Sequence, residues 1–499
     1  MSRINTNVNS LLGQRVLGQQ NRALNTSLER LSTGLRINRG ADDPAGLIAS
    51  ENLRSQQASI EAAIGNAERA EQVVNVAEGG LQEINNLLLE VQSLVGQSAN
   101  SAGLSVQEKE ANQLQIDSIL QTIDRISETT SFQGTKLLNG NYEFNVEAQA
   151  DTVSDITVNA AKISKGGERD LSVVVTQSAQ NAGLFLSTGG TTIGATDAGE
   201  TFTLSVAGTN GSREFSFASG TSFTDIASTI NTFTDITGVT ASASGNGVGI
   251  YSKDLGESNF VSVDIKNDAG VTGSVNLLSS GNTANAVAEG ATAFSAARNP
   301  IRDDGQDVQA TINGVKASTR GATASIASDF LDVSIDLTTA GAQALGSISA
   351  GKITGGGASF NLGPNVDIGN QVSLGISSVA SRNLGNNTSG FLSDLASGAG
   401  KNVIDGDLTE AQRVVNDAIG QISKQRGRLG AFTKNTVGST IRSLGVALEN
   451  TSAAESAIRD TDFARETAEL TRSQILVQAA TNSLAIANSN PQNALSLLR

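Results

Sequence analysis

The side chains most often recruited for chemistry are either missing from this sequence or scattered without pattern. The chain has no His and no Cys, which removes the commonest general base, the commonest zinc ligand and every thiolate or disulfide. Two glycine-rich stretches, Thr188-Gly189-Gly190 and Gly355-Gly356-Gly357, invite comparison with phosphate loops. Neither sits between a strand and a helix with a Lys to reach the phosphate, so both read as surface turns. The run Asp303-Asp304-Gly305-Gln306-Asp307 resembles a calcium loop only in its carboxylates, because the closing Glu is absent at the required offset. Glu83, Glu90 and Glu110 read as solvated helix faces, not as an acid/base pair. The expectation is no catalytic residue, no metal and no cofactor.

The basic residues carry more information. Arg3, Arg15, Arg22, Arg30, Arg36 and Arg39 crowd the start of the chain against a lone Glu29. A basic amphipathic helix can lie on a membrane, but this one has no aromatic anchors. The alternative is pairing with Asp460, Asp462, Glu466 and Glu469 near the other end, since Arg suits bidentate carboxylate contacts. No membrane partner is therefore expected. A net charge of −15 and a pI near 4.6 also argue against nucleic acid, which requires clustered cations. No stretch approaches the roughly 18 apolar residues of a spanning helix. The first twenty residues lack the continuous apolar core of a secretory leader.

Positioning falls to long helices at both ends. From Pro44 to about Asn100, one heptad line runs Ile60, Ala67, Val74, Leu81, Leu88, Val95. A second runs Ala63, Ala70, Ala77, Ile84, Val91, and steps of three and four keep both on the seam of a coiled coil. Asp42 and Asp43 supply a cap and Pro44 suits the first helical position. Gly79 and Gly80 should each cost about 1 kcal/mol relative to Ala. A second helix is expected from about Val106 to Thr129, with Ile116, Ile119, Ile123 and Ile126 on one face. Toward the C-terminus Leu408, Val415, Ile422 and Leu429 are seven apart, and Val437 and Leu444 continue the stripe. The outermost arms carry Leu17, Leu24, Leu31 with Leu28 and Leu35, and Phe463, Leu470, Val477, Leu484, with Pro491 expected to end the last helix. These arms are too polar for a core of their own and are expected to fold against neighbouring subunits.

Between about Asn141 and Lys401 the period shortens to two. Leu171–Thr176, Thr201–Val206, Val248–Ser252, Val261–Lys266, Val308–Ile312 and Val372–Ile376 read as half-buried strands. Asn210-Gly211, Asn246-Gly247 and Asn313-Gly314 read as turns between them. Ile226 and Ile230 mark a short helix within Thr221 to Phe233. Heptad segments hundreds of residues apart must hide their seams against each other, which leaves the middle as an insertion.

Leu31 to Gln56, LSTGLRINRGADDPAGLIASENLRSQ, closely resembles the N-terminal signature of bacterial flagellins. The likeness continues through Ala67 to Asn100, Thr130 to Gly140, and Leu429 to the closing Leu-Leu-Arg. Ser222 to Ile265 is similar to a small module of some flagellins and hook-associated proteins. The resemblance implies mainly α terminal regions, with paired long coiled-coil helices from both chain ends and an inserted α+β, Gly/Ser/Thr-rich outer region. On that pattern residues 1–42 and 455–499 are the terminal arms of an inner filament core. Residues 43–175 and 361–454 are a coiled-coil core domain with β-hairpin elements, and 176–360 a variable outer insert in one or two subdomains. The implied function is a non-enzymatic, secreted subunit that self-assembles into the flagellar filament for motility after type III export. Implied partners are copies of itself, an export chaperone on the C-terminal arm, and hook-junction and cap proteins. Alternatives are a hook-filament junction protein or a filament-displayed adhesin. The resemblance also points to a vertebrate receptor-recognition segment around Glu90, Leu94, Gln97 and Gln115. Glu90 and Gln115 stand there in place of the usual Arg and Glu.

Overall fold

The computed structural model describes residues 6–100, 103–163, 167–190, 192–194, 200–278, 288–297, 299–387 and 389–496. Arg3 and the closing Leu-Leu-Arg lie outside them. Nine α-helices are described: α1 (Val8–Thr33), α2 (Pro44–Ser98), α3 (Val106–Thr129), α4 (Phe223–Thr232), α5 (Thr234–Thr237), α6 (Thr339–Gln343), α7 (Leu408–Ala431), α8 (Gly438–Arg459) and α9 (Phe463–Ser496). The chain forms two compact units, one of residues 1–74, 360–370 and 430–499, the other of residues 75–359 and 371–429.

The first unit holds the chain's two ends. Asp43 starts α2 by accepting the Gly46 N–H at 2.9 Å, and Pro44 contributes no orphan donor there. Ile60, Ala63, Ala67, Ala70 and Val74 are all buried along its seam. On the C-terminal side, α7 passes into α8 through a π-turn at Phe432–Val437. This turn was not anticipated. Phe432 and Val437 are five apart yet both buried, because the wider turn absorbs one extra residue and keeps the stripe on one face. A second correction concerns Pro491, since α9 runs past it to Ser496. Proline forfeits its N–H bond to the carbonyl four residues back and crowds that carbonyl, which on Ala487 takes the Asn7 Nδ2 donor instead at 2.8 Å.

The second unit contains a helical part and two β-sandwiches. α3 begins with a capping box in which Ser105 and Glu108 satisfy each other's backbone N–H. Ile116, Ile119, Leu120 and Ile123 of α3 are buried, as are Leu81, Ile84, Leu88, Val91 and Val95 of α2 and Val415, Ile422 and Leu429 of α7. Gln92 donates to Asn416 at 2.7 Å, and Arg426 approaches Glu78 at 3.8 Å, which ties α2 to α7. Gly80 has a packing reason that composition hides. A Cβ there would stand 2.8 Å from both Leu138 Cδ1 and Thr130 Oγ1, so a larger residue would push these two side chains back from α2.

Both sandwiches are antiparallel. The inner one packs strands 315–316, 309–312, 169–177, 346–356 and 144–147 against 318–320, 323–327, 331–337 and 153–161, in those orders. Its core includes Leu171, Val173, Ile312, Val333, Ile335 and Ile353. The outer one packs strands 288–293, 274–278, 183–187, 247–252 and 239–244 against 301–304, 260–267, 202–208 and 212–217. Ile226 and Ile230 of α4 enter its core with Leu204, Phe215 and Ile250. Every strand expected from alternation is present within a residue or two of its expected bounds. Asn313 and Gly314, with φ of 49° and 81°, form the two-residue turn that pairs Ile312 with Val315. The other two hairpin turns fall one residue earlier than expected, at Gly245-Asn246, because Ser244 pairs with Gly247, and at Thr209-Asn210, because Gly208 donates its N–H to the Gly211 carbonyl at 2.9 Å.

Candidate assembly interface

α1 and α9 lie antiparallel. Asn7 meets Ala487, Arg30 meets Glu466 at 3.7 Å, and Leu35 forms a backbone bridge with Asp460. A Cβ on Gly13 would stand 3.0 Å from Leu484 Cδ1, so a small residue sets how closely the helices approach. The buried and half-buried stripe of α1 reads Ser10, Gly13, Leu17, Gln20, Leu24, Ser27 and Leu31. That of α9 reads Glu466, Leu470, Ser473, Val477, Ala480 and Leu484. Both step by three and four, the spacing of a coiled-coil seam. Leu17, Leu24, Leu31, Leu470, Val477 and Leu484 are thus brought to the seam and Leu35 lies just past the end of α1, each only half-buried. Leu28 and Phe463 point away from it and are exposed.

The pairing leaves much undone. Leu11, Leu12, Val16, Ile475, Leu476 and Ile486 are also exposed, and no α1 residue larger than Ser is buried. A groove of about 430 Å³ opens between the helices, lined by Leu12, Gly13, Val16, Leu476, Ala479 and Ala480. At about 25 cal/mol per Å² of apolar area, half-burial of each Leu falls well short of what ordering two long arms costs. Arg30 was expected to meet an acidic partner and does. Asp462 instead caps α9 by accepting the Ala464 N–H at 3.0 Å, and Glu469 faces Arg472 on its own helix.

The segment linking α1 to α2 crosses the one linking α8 to α9. Arg36 donates its N–H to the Arg459 carbonyl at 2.7 Å, and Thr461 donates to Gly34 at 3.0 Å. The Arg36 guanidinium adds a bond to the Ile458 carbonyl at 2.5 Å, while Ile37 is fully buried. Asp42 accepts the Arg39 and Asn38 N–H groups at 2.9 and 3.0 Å, and the Arg39 donor in particular holds its carboxyl below the usual range. The Gly-Leu-Arg-Ile-Asn-Arg run thus builds a fixed crossing, and its charged residues serve geometry.

Sequence reasoning missed a polar strap. The irregular stretch from Gly375 to Val403 is held between α3 and α7 by side chains. From α7, Gln421 donates to the Gly385 carbonyl at 2.6 Å and accepts its N–H at 3.0 Å. Gln425 reaches Ser377 at 3.3 Å, and Asp417 accepts from Ser389. From α3, Asp124 accepts the Ser381 N–H at 2.7 Å and Asp117 that of Ser397 at 2.9 Å. The available signal was a polar residue on an apolar line, Gln113 before Ile116 and Gln425 between Ile422 and Leu429.

Around the proposed receptor segment, Glu90, Gln97 and Gln115 are exposed, whereas Leu94 is only 6% exposed. No helix among the described residues is long and apolar enough to cross a membrane.

Comparison with known proteins agrees with this arrangement. A family described as the bacterial flagellin N-terminal helical region matches residues 4–143, and the corresponding C-terminal helical region matches residues 413–498. The B-type flagellin of Pseudomonas aeruginosa is 31% identical, covering 99% of both chains. This chain belongs to the bacterial flagellin family. Flagellin B of Helicobacter pylori is 30% identical over 100% of this chain and 99% of its own length. The flagellin hook IN motif matches residues 201–254. It therefore starts before the 222–265 module read from the sequence, and it follows the structural unit of strands 202–208, 212–217, 239–244 and 247–252 around α4 and α5. Among solved structures, the flagellar cap protein FliD D1-D2-D3 domains from Escherichia coli align over 72% of this chain and 74% of theirs, at 14% identity and a TM-score of 0.26. As a flagellin, the chain is a structural subunit of the extracellular flagellar filament and not an enzyme.

Proposed function

We propose that the α1–α9 pair is the part of this flagellin that drives polymerisation. The observation carrying this reading is the incomplete seam: seven expected arm residues are only half-buried, while Leu12, Val16, Ile475 and Leu476 face solvent. Neighbouring copies would fill the groove and supply the missing area. A surface on one copy that complements a different surface on the next propagates into an open helical filament. An export chaperone would cover the C-terminal arm beforehand, and hook-junction and cap proteins would meet the same arms at the filament's ends. Of the expected coiled-coil residues, Leu81, Ile84, Leu88, Val91 and Val95 of α2 with Val415, Ile422 and Leu429 of α7 would hold the second unit together, and Ile60 and Val74 would pack within the first.

The test is removal of residues 1–40 and 458–499. The remainder should stay soluble and helical, melt cooperatively, and fail to extend filament seeds in electron micrographs. Filaments built by the truncated chain would refute the proposal.

A further inference from the structure

A short loop in the first unit holds two apolar side chains out in water on a hydrogen-bonded backbone. Leu362 is buried at its base and donates its N–H to the Asn370 carbonyl at 3.0 Å. Asp367 faces into the loop, where one oxygen accepts the Asn370 N–H at 2.8 Å and the other its side-chain amide at 2.9 Å. The same amide reaches the Asn365 carbonyl at 3.2 Å, and Pro364 fixes its own φ beside it. Just before the loop, the Phe360 ring lies 6.1 Å from that of Phe432, which anchors it to the π-turn. The carboxylate, itself exposed, bonds within the loop, and the two apolar side chains flanking it are exposed beside it. Val366 is 87% exposed and Ile368 44%. An ordered loop of this kind holds apolar surface in water without the flexibility to hide it.

We propose that this loop is a contact surface for a second copy of the chain, with Val366 as the side chain that becomes covered. The occupant follows from charge and from family. Copies with a net charge of −15 repel one another, so they dock best through neutral surface. Between Lys352 and Arg382 the sole charged residue is Asp367, and both of its oxygens are engaged by hydrogen bonds within the loop. A filament subunit also has other copies as its constant neighbours. The inference rests on the assembly reading above, but places one contact outside the α1–α9 arms.

The absence of cysteine makes Val366→Cys a unique thiol. The full-length variant is copolymerised with an excess of the unmodified chain, and maleimide labelling is compared between monomer and filament. Labelling should slow by about tenfold or more in the filament, as in a water-excluding interface. Equal labelling rates would overturn the proposal. In parallel, Val366→Asp should melt as the unmodified monomer does yet extend seeds about tenfold more slowly, the loss expected from an interface anchor. Extension at the normal rate would also overturn it. Should Val366→Cys stay out of filaments while its monomer melts normally, the need for this side chain is supported. Failure of the unmodified chain to polymerise would count against the assembly reading and not against the loop.

Discussion

Asn7 uses both ends of its side-chain amide to close two helices at once. Its Oδ1 accepts the Ser10 N–H at 3.1 Å and caps α1, and its Nδ2 donates at 2.8 Å to the Ala487 carbonyl. That carbonyl lacks its normal donor because residue 491 is proline. One residue therefore satisfies an orphan at the start of the chain and another near its end, and fixes the register of the arms.

Replacing Asn7 by Ala should cost the arms about 1 kcal/mol from the cap alone, with a further loss from the unpaired carbonyl. Asn7→Asp keeps the acceptor and loses the donor, so it should fall between the two. Disassembly temperature of filaments should follow the order Asn, Asp, Ala, while the melting of the arm-truncated monomer cannot change. Identical filament melting for all three would remove Asn7 from this role.

Gln113 is the strap's most buried anchor, at 1% exposure. Its amide donates to the Leu395 carbonyl at 2.8 Å and to Asp117 at 2.9 Å, and accepts the Val403 N–H at 2.9 Å. Gln113→Leu preserves volume but strands a backbone donor and an acceptor in the interior. A loss of about 2 kcal/mol or more is expected in urea unfolding, whereas Gln115→Leu, one helix face away and exposed, should change little. Equal effects at the two positions would contradict the strap.

What was legible depended on whether a residue's partner lies on a periodic element. Leu81, Ile84, Leu88, Ile116 and Ile422 announce their burial by spacing alone, because the helix repeat fixes which side chains share a face. Strands Arg169–Gln177 and Phe202–Gly208 were readable for the same reason at a period of two. The strap from Gly375 to Val403 has no period, and its bonds to α3 join residues hundreds apart, as with Ser381 and Asp124. Pro491 misled because local propensity says nothing about a donor arriving from Asn7. The π-turn went unread because the stripe was carried straight through Val437 and Leu444, and the step of five from Phe432 to Val437 was passed over.

Asp303 offers a pH test of the outer sandwich. Burial pushes its carboxyl above the ordinary range, the Gly183 N–H at 2.7 Å opposes this, and the neighbouring Asp304 charge adds to it. The folded state therefore keeps a proton that the unfolded chain has lost. The group's contribution is fully present below the unfolded value of about 3.9 and is lost as pH rises through the raised folded value. Asp303→Asn removes that loss, so its melting temperature relative to the parent should improve on going from about pH 4 to about pH 7. A difference that does not move with pH, or moves the other way, would rule this out.

The outer sandwich should be removable as a unit. Gln180 and Gln306 exchange backbone bonds, at 2.8 Å from the Gln180 N–H and 2.9 Å from the Gln306 N–H, so the two strands of its neck are already side by side. Joining residue 180 to 306 through a short Gly/Ser turn leaves the inner core, including Leu171, Val173 and Ile312, intact. The shortened chain should polymerise into thinner filaments with unchanged seed extension. A soluble, folded product that cannot extend seeds would show that the outer sandwich contributes to assembly.

The last prediction is that the vertebrate receptor that senses flagellins responds weakly to this chain. Resemblance places recognition on the α2 face around Glu90 and Gln97 with Gln115 of α3, and all three side chains are exposed. Leu94 is turned into the helical core instead, so the exposed polar positions would carry the discrimination. Glu90 stands where recognised relatives have Arg, which reverses a charge and removes a planar five-donor group. Truncating an anchor of that kind costs about 2 kcal/mol or more, and a like charge on the receptor would add repulsion. Gln115 removes a carboxylate where Glu is usual. Neither position touches the buried seam of Leu88, Val91 and Val95, so exchange should leave folding and assembly unchanged. A reporter assay comparing the chain with its Glu90→Arg, Gln115→Glu double variant should show the variant as the more potent activator. Equal potency at the level of strongly recognised flagellins would defeat the prediction, because a surface that tolerates charge reversal is not read by charge.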